Sequence, residues 1–319
     1  MKRILAIGLA ATFAAGPALA DDWPTRTVTI TVGFGPGSTP DLMARLMAEN
    51  LQERLGQPFV VENQPGAGGN IALNAVAQAD PDGYTLGVTI PGPLIVNPMT
   101  MELMYDPSTD IQPVTILGTQ PSVLIVGAEM EVEGLEELIE MLAEDPGAYT
   151  YASIGVGSIS HLAMEMIALE SGTDIVHIPY DSSPEAVQAV VGGEVQMAAM
   201  PPLAVMAQAE EGNVRMLAQT SAERMPVVSE VPTFAELGLD GVQAEAWMAL
   251  AATGGTPDDV VERLYAEVRD ILDDPEVQDQ MANFGFAPVG MEPSAFEERI
   301  AEETERWRMV VTAAGLLQE

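Results

Sequence analysis

The sequence predicts an α/β protein of two lobes with a ligand cleft between them. Three observations predict it. Short apolar runs alternate with amphipathic stretches from residue 28 onward, the pattern of βαβ units and largely parallel sheets. Two glycine-led turns, near residues 33–41 and 155–161, each carry a strand into a helix, and their separation in the chain puts one in each lobe. Ligands of open α/β sheets sit beyond the carboxyl ends of strands, so two such turns face one cleft.

The elements follow in order. A strand over 28–34 leads into a helix over 41–55, with Leu42, Leu46, Leu51 and Leu55 near one stripe and Gly56 as its stop. Thr39 suits its N-cap and Pro40 its first helical position, where a missing N–H costs nothing. A strand over 59–62, a helix over 70–79 and a strand over 85–90 come next. Strands over 114–117 and 123–126 precede an acidic helix over 134–144. A strand over 149–153 meets the second turn, Gly155-Val-Gly-Ser-Ile-Ser-His161, and a helix over 158–170 stopped by Gly172, with Ser158 or Ser160 as N-cap. A strand over 175–178, a helix over 184–191 and strands over 195–200 and 214–219 follow. A strand over 247–252 and helices over 257–272, 276–284 and 293–314 complete the chain.

Residues 1–20 read as an export signal: Lys2 and Arg3, an apolar run from Ile4 to Ala15, and small residues at Ala18-Leu-Ala20. The mature chain is expected to start near Asp21 and to be periplasmic. Cysteine is absent, which excludes disulfides, a lipid-bearing cysteine and thiol catalysis. The net charge is −36, and loss of Lys2 and Arg3 makes the mature chain more acidic still. Nucleic acid and anionic membranes are poor partners for such a surface. With a hydrophobic fraction of 47% and periodic apolar residues, the composition fits a globular protein of a saline habitat rather than disorder.

The chemistry concentrates in the two turns. A helix start offers free N–H groups and the positive end of its dipole to an anion. Gly35, Gly37 and Ser38 permit close approach. Asp41 either caps its helix, accepts a hydrogen bond from a ligand, or orders the loop; Phe34 packs on a ligand or belongs to the core. His161 is a structural hydrogen-bonder or a ligand group, and His177, in a strand, is structural. The chain has no lysine after Lys2 and no arginine in either loop, so anion recognition falls to N–H groups and hydroxyls near Thr39 and Ser158, with Arg45 supporting the loop.

Competing motifs fail in detail. Gly33-Phe-Gly35-Pro-Gly37-Ser38 imitates a dinucleotide fingerprint, but its third glycine falls on Ser38 and Pro36 stiffens the turn. Gly155-Val-Gly-Ser-Ile is off register for a nucleophile elbow, and the two histidines lack metal-ligand spacing. No catalytic residue, cofactor or metal is expected. An exported hydrolase remains the enzyme alternative.

Several segments in order resemble one family: Gly35-Pro-Gly-Ser-Thr-Pro-Asp-Leu-Met-Ala-Arg45, Leu55-Gly-Gln-Pro-Phe-Val-Val-Glu-Asn63, Pro65-Gly-Ala-Gly-Gly-Asn-Ile71, Pro81-Asp-Gly-Tyr-Thr85, Tyr151 to Leu162, His177-Ile-Pro-Tyr180, Val231-Pro-Thr-Phe-Ala-Glu236 and Gly255-Thr-Pro257. The chain resembles the solute-binding proteins of tripartite tricarboxylate transporters, the Bug or TctC family, over residues 21–319. The resemblance implies a two-lobed periplasmic-binding-protein fold of the Venus-flytrap type II class. It also implies a small carboxylate, amino acid or aromatic acid as ligand, and membrane transporter subunits as partners of a monomer. A receptor for another importer or a sensor is the alternative within binding proteins. Carried over by position, the site comprises Phe34, Gly37, Ser38, Thr39, Asp41, Asn70, Pro91 and Gly92 in lobe one. In lobe two it comprises Ser153, Gly157, Ser158, Ser160 and Tyr180. Lobe one is expected over 21–118 plus 221–319 and lobe two over 119–220, with hinges near 115–120 and 217–221. The chain departs from the family pattern at Pro40, at Asp181-Ser182 after Tyr180, and at Met200-Pro201, positions where specificity is set.

Overall fold

The computed structural model describes residues 23–318; the export-signal reading of residues 1–20 lies outside the described residues. In chain order the strands are β1 (Val28–Val32), β2 (Phe59–Asn63), β3 (Thr85–Thr89), β4 (Ile111–Gln120), β5 (Val123–Gly127), β6 (Thr150–Ser153), β7 (Val176–Pro179), β8 (Met197–Met200), β9 (Val214–Gln219), β10 (Ala246–Thr253) and β11 (Ala287–Pro288). They form two sheets, ordered β11-β4-β10-β3-β1-β2 and β7-β6-β8-β5-β9. The helices are α1 (Thr39–Leu55), α2 (Asn70–Ala77), α3 (Asn97–Thr100), α4 (Pro107–Asp110), α5 (Leu135–Glu144), α6 (Ile159–Ser171), α7 (Ser183–Val191), α8 (Pro202–Glu210), α9 (Asp258–Leu272), α10 (Pro275–Asn283) and α11 (Pro293–Ala313).

The sheets are mixed rather than largely parallel. β1 pairs in parallel with β2 and β3, and β6 with β7 and β8, but β10 is antiparallel to β3 and β4, and β5 to β8 and β9. The reason lies in the crossings. β4 passes through Pro121 and Ser122 straight into β5, and β10 returns after β9. A strand that leaves a crossing starts at the cleft and runs away from it, whereas strands that feed a helix run toward it. Thr220 fastens the crossings together: its N–H donates to Ser122 O at 2.9 Å and its hydroxyl to Ala244 O at 2.9 Å.

Two further expectations shift. The strand expected over 114–117 extends at both ends, because Gln112, Thr119 and Gln120 also pair with β10. The N-cap of α1 is Ser38, at φ −68° and ψ 157°, not Thr39; Pro40 is then the second helical residue, which equally needs no N–H. Helices α3 and α4 and a π-turn at Gly92–Val96 are too short for a periodicity to read from the sequence, and α8, which buries only Pro202 and Val205, was also not expected.

Packing ties the sheets together. One core fills the space between α1, α9 and the first sheet, around Ile30, Met47, Leu86 and Leu264. Another lies under α7 and α8, around Ile125, Val187 and Val205. A third is continuous across both sheets, joining Ile116 to Leu124 and Tyr151 through Trp307 and Val311 of α11. Trp247 meets Phe296 edge-on at 5.3 Å and donates its indole N–H to Glu303 at 3.0 Å, which seats α11 on β10.

Candidate functional site

The turns after β1 and β6 have the same backbone. Ser38 N–H donates to Gly35 O at 3.2 Å and Leu42 N–H to Ser38 O at 2.9 Å; Ser158 N–H donates to Gly155 O at 3.2 Å and Leu162 N–H to Ser158 O at 2.9 Å. The cap Ser158 has φ −68° and ψ 159°, matching Ser38. Gly37 and Gly157, at φ +82° and +77°, occupy the left-handed region that disfavours a side chain.

Different groups clamp the two turns. At the first, Asp41, 1% exposed, accepts Gly37 N–H at 2.8 Å and Arg45 Nε at 3.0 Å on one oxygen. Its other oxygen accepts Arg45 Nη2 at 2.9 Å and Asn63 Nδ2 at 2.8 Å. The Arg45 bond, with Gly37 and Asn63 acting against burial, lowers the carboxyl from 3.8 to about 2. Four donors leave this carboxylate little capacity for a ligand, so Asp41 orders the loop. At the second turn, Gly157 N–H donates to His161 Nδ1 at 3.0 Å. That nitrogen is therefore bare and Nε2 carries the proton, 3.8 Å from Glu165 Oε1.

His161 stacks on His177 with ring centroids 3.9 Å apart, and His177 Nε2 lies 2.6 Å from Ser153 Oγ. Tyr151 donates its hydroxyl to Glu165. Burial lowers the pKa of His161; burial, then the neighbouring His161, lowers that of His177 to about 4. Ser158 Oγ accepts His161 N–H at 3.3 Å and donates to Gly155 O at 2.7 Å, and Ser160 Oγ accepts Ile154 N–H at 3.0 Å.

Between the sheets lies a cavity of about 800 Å³. Phe34, Gly92, Gly157, Ser158 and Ser160 of the expected site line it. Gly37, Ser38, Thr39, Asp41, Asn70, Pro91, Ser153 and Tyr180 do not. Asn70 stands behind: its amide oxygen accepts Asn97 Nδ2 at 2.8 Å and its amide nitrogen meets Met101 Sδ at 3.2 Å, both on lining residues. Ser153 is fully buried, and Tyr180 N–H pairs with Ser153 O at 2.9 Å.

Residues outside the expected site complete the wall, some of them within the family-like segments: Ala67 and Gly68 in 65–71, and Ile154, Val156 and Ile159 in 151–162. Ala67, Gly68, Ile90, Val96, Asn97, Thr100 and Met101 come from the first lobe, and Ile154, Val156, Ile159 and Pro201 from the second. Gln120, Pro121, Ser122 and Ala246 come from the crossings, and Leu316 from the tail after α11. Gln318 N–H donates to Met99 O at 2.8 Å and so ties that tail beside the cavity. Among the described residues no Asp, Glu, Lys, Arg or His lines this cavity. A separate hollow of about 520 Å³ lies between α4 and α11 and has neither glycine turn in its wall.

The helix starts hold unclaimed donors. Among the described residues, the N–H groups of Ile159 and Ser160 on α6, and of Thr39 and Asp41 on α1, have no partner. Of these two starts, only that of α6 opens onto the cavity. Its dipole and free N–H groups suit a carboxylate there.

Known proteins share this chain's sequence and shape. A family model described as the tripartite tricarboxylate transporter family receptor matches residues 43–316. Protein BugT of Bordetella pertussis is 36% identical, with 99% of this chain and 98% of BugT covered. Among solved structures, R. palustris Rpa4515 with adipate is 34% identical at a TM-score of 0.75, covering 92% of this chain and 99% of its own. MatC from Rhodopseudomonas palustris with bound malate is 33% identical at a TM-score of 0.71, covering 91% and 100%.

Proposed function

We propose, given that the chain belongs to the tripartite tricarboxylate transporter receptor family, that it captures a small carboxylate in the periplasm and delivers it to the membrane subunits of such a transporter. The fold is the two-lobed periplasmic-binding-protein fold. We read lobe one as 21–118 with 221–319 and lobe two as 119–220, a division supported by the membership of β1–β4, β10 and β11 in one sheet and β5–β9 in the other. The observation that carries the reading is the inter-sheet cavity, onto which the start of α6 opens and whose wall holds no charged side chain among the described residues. The ligands of two relatives, adipate and malate, agree with it.

We read the protein as a binder rather than an enzyme. Ser153 has a histidine partner, but it is fully buried and outside the cavity wall. Ester turnover lost in Ser158→Ala would move the protein to the hydrolase class.

A thermal-shift screen of carboxylates on the purified mature chain tests the function. A ligand at 100 times its Kd stabilises by about 2.7 kcal/mol; no shift with any carboxylate sinks the reading. The charge of −36 we read as adaptation to salt. The melting temperature then rises between low salt and about 1 M NaCl, where the Debye length is about 3 Å; a flat or falling curve counts against that reading.

A further inference from the structure

We propose that the cavity selects a carboxylate with one charged head, an apolar body and an uncharged hydroxyl at its far end, and that Gln120 and Ser122 read that hydroxyl. The inference rests on the carboxylate-binding reading above and narrows it.

A seat for a charge is present at the start of α6; Ala67 and Gly68, before α2, also line the cavity. The start of α6 opens onto the cavity through Gly157, Ser158 and Ser160, whereas Gly37, Ser38 and Thr39 at the start of α1 do not line it. Apolar side chains, Phe34, Ile90, Met101, Ile154, Val156 and Leu316, dominate the walls. A second carboxylate in this space is desolvated with no cation among the described lining residues to meet it, inside a chain of charge −36.

The crossing supplies a different kind of recognition. Gln120 and Ser122 are 7% and 4% exposed and both line the cavity, with the Gln120 amide nitrogen packed beside Gly285; neither side chain has a hydrogen-bond partner among the described residues. Buried amides and hydroxyls are nearly always paired, by protein, water or ligand. Each of these two groups both donates and accepts. A ligand hydroxyl, which also donates and accepts, satisfies them, whereas an acceptor-only carboxylate leaves the Gln120 amide oxygen without a donor.

Calorimetry on the mature chain with isosteric six-carbon probes tests this: 6-hydroxyhexanoate, hexanoate, adipate and 1,6-hexanediol, extended to four- and eight-carbon homologues. The expected order places the hydroxy acid about tenfold tighter than adipate, a difference of about 1.4 kcal/mol, with hexanoate between them and no detectable diol binding. Ser122→Ala and Gln120→Leu are expected to weaken the hydroxy acid about tenfold more than hexanoate. Ser122→Ala removes a single atom, so its result stands even where Gln120→Leu unfolds the crossing. Adipate binding as tightly as the hydroxy acid, or variants that lower both acids equally, overturns the selectivity while leaving carboxylate binding intact. Diol binding comparable to the acids, or no acid binding at any length, overturns the carboxylate reading itself.

Discussion

At the start of α1 a glycine N–H is clamped by a carboxylate with its own guanidinium; at the start of α6 the equivalent N–H is clamped by a neutral imidazole. Gly37 donates to Asp41, and Gly157 to His161, each to the residue four places on. The backbone is the same in both, so the clamp is free to differ in charge. The difference follows position. The turn with the buried carboxylate stands back from the cavity, and the turn with the neutral clamp lines it. In a chain with no lysine after Lys2, an anion is best seated where the nearest supporting group carries no negative charge. Pro40 adds to the asymmetry by removing one N–H from the first turn of α1.

The sharpest way to break this comparison is to place a β-branched side chain in each turn. Both glycines have positive φ, and an added Cβ meets nothing within 4 Å, so the local strain, roughly 1–2 kcal/mol, is alike. Binding separates them. Gly157→Val is expected to raise Kd about 100-fold by displacing N–H groups worth about 1.5–3 kcal/mol each to a charged ligand, and Gly37→Val less than about tenfold. Calorimetry with any bound carboxylate reads the difference. Equal losses in the two variants mean that both turns grip the ligand.

The clamps also differ in their response to acid. The Asp41 carboxyl is lowered from 3.8 to about 2, so its stabilisation is present above pH 3.8 and is lost as pH falls toward 2. That contribution is roughly 2.5 kcal/mol. His161 and His177 are held below 6.5, His177 at about 4. The unfolded chain takes up those protons more readily, so stability falls as pH falls through 6.5 toward 4. Protonation of His161 Nδ1 turns the acceptor of Gly157 N–H into a donor, and Kd is expected to rise as pH falls below 6.5. Denaturant unfolding across pH checks both windows. Asp41→Asn is expected to cost about 2.5 kcal/mol at pH 7 and to flatten the slope below 3.8. His161→Gln is expected to cost about 1 kcal/mol and to flatten the slope below 6.5. A single shared window ties both slopes to the overall charge rather than to the clamps.

Sequence made the turns legible because glycine, serine and a following helix pattern are local signals. It gave the Asp41 turn a cap one residue late, since Thr39 and Ser38 are equally good caps and only the extended backbone of Ser38 decides. Arg45 as a support for the loop was readable from its position one turn beyond Asp41. The cavity wall was less legible. Met101 and Leu316 belong to no motif, and Pro201 was legible only as a departure from the family pattern; the end of α3, a C-terminal tail and a strand end bring them together. Gln120 was readable as part of a crossing but not as a wall, because nothing local distinguishes a polar strand end that faces solvent from one that faces a cavity. The mixed sheets were missed for the same reason: strand direction is fixed by where the chain crosses, not by its apolar pattern.

The smallest expected difference lies in the two cap hydroxyls, and it has opposite signs at the two turns. Ser158 Oγ accepts the N–H of His161 and donates to Gly155 O, so it satisfies an otherwise orphaned donor of α6 and closes the turn. Ser158→Ala is expected to cost about 1 kcal/mol of stability and to weaken binding modestly, because the hydroxyl also lines the cavity. Ser38 has the same φ and ψ, yet its Oγ is buried with no partner and accepts no cap bond. A buried hydroxyl without a hydrogen bond is unfavourable. Ser38→Ala is therefore expected to be neutral or to stabilise by up to about 1 kcal/mol, with no change in affinity. Denaturant unfolding of the two variants side by side separates the signs. A loss of about 1 kcal/mol in both means that Ser38 caps α1 in solution as Ser158 caps α6, and that the turns differ only in the group four residues on.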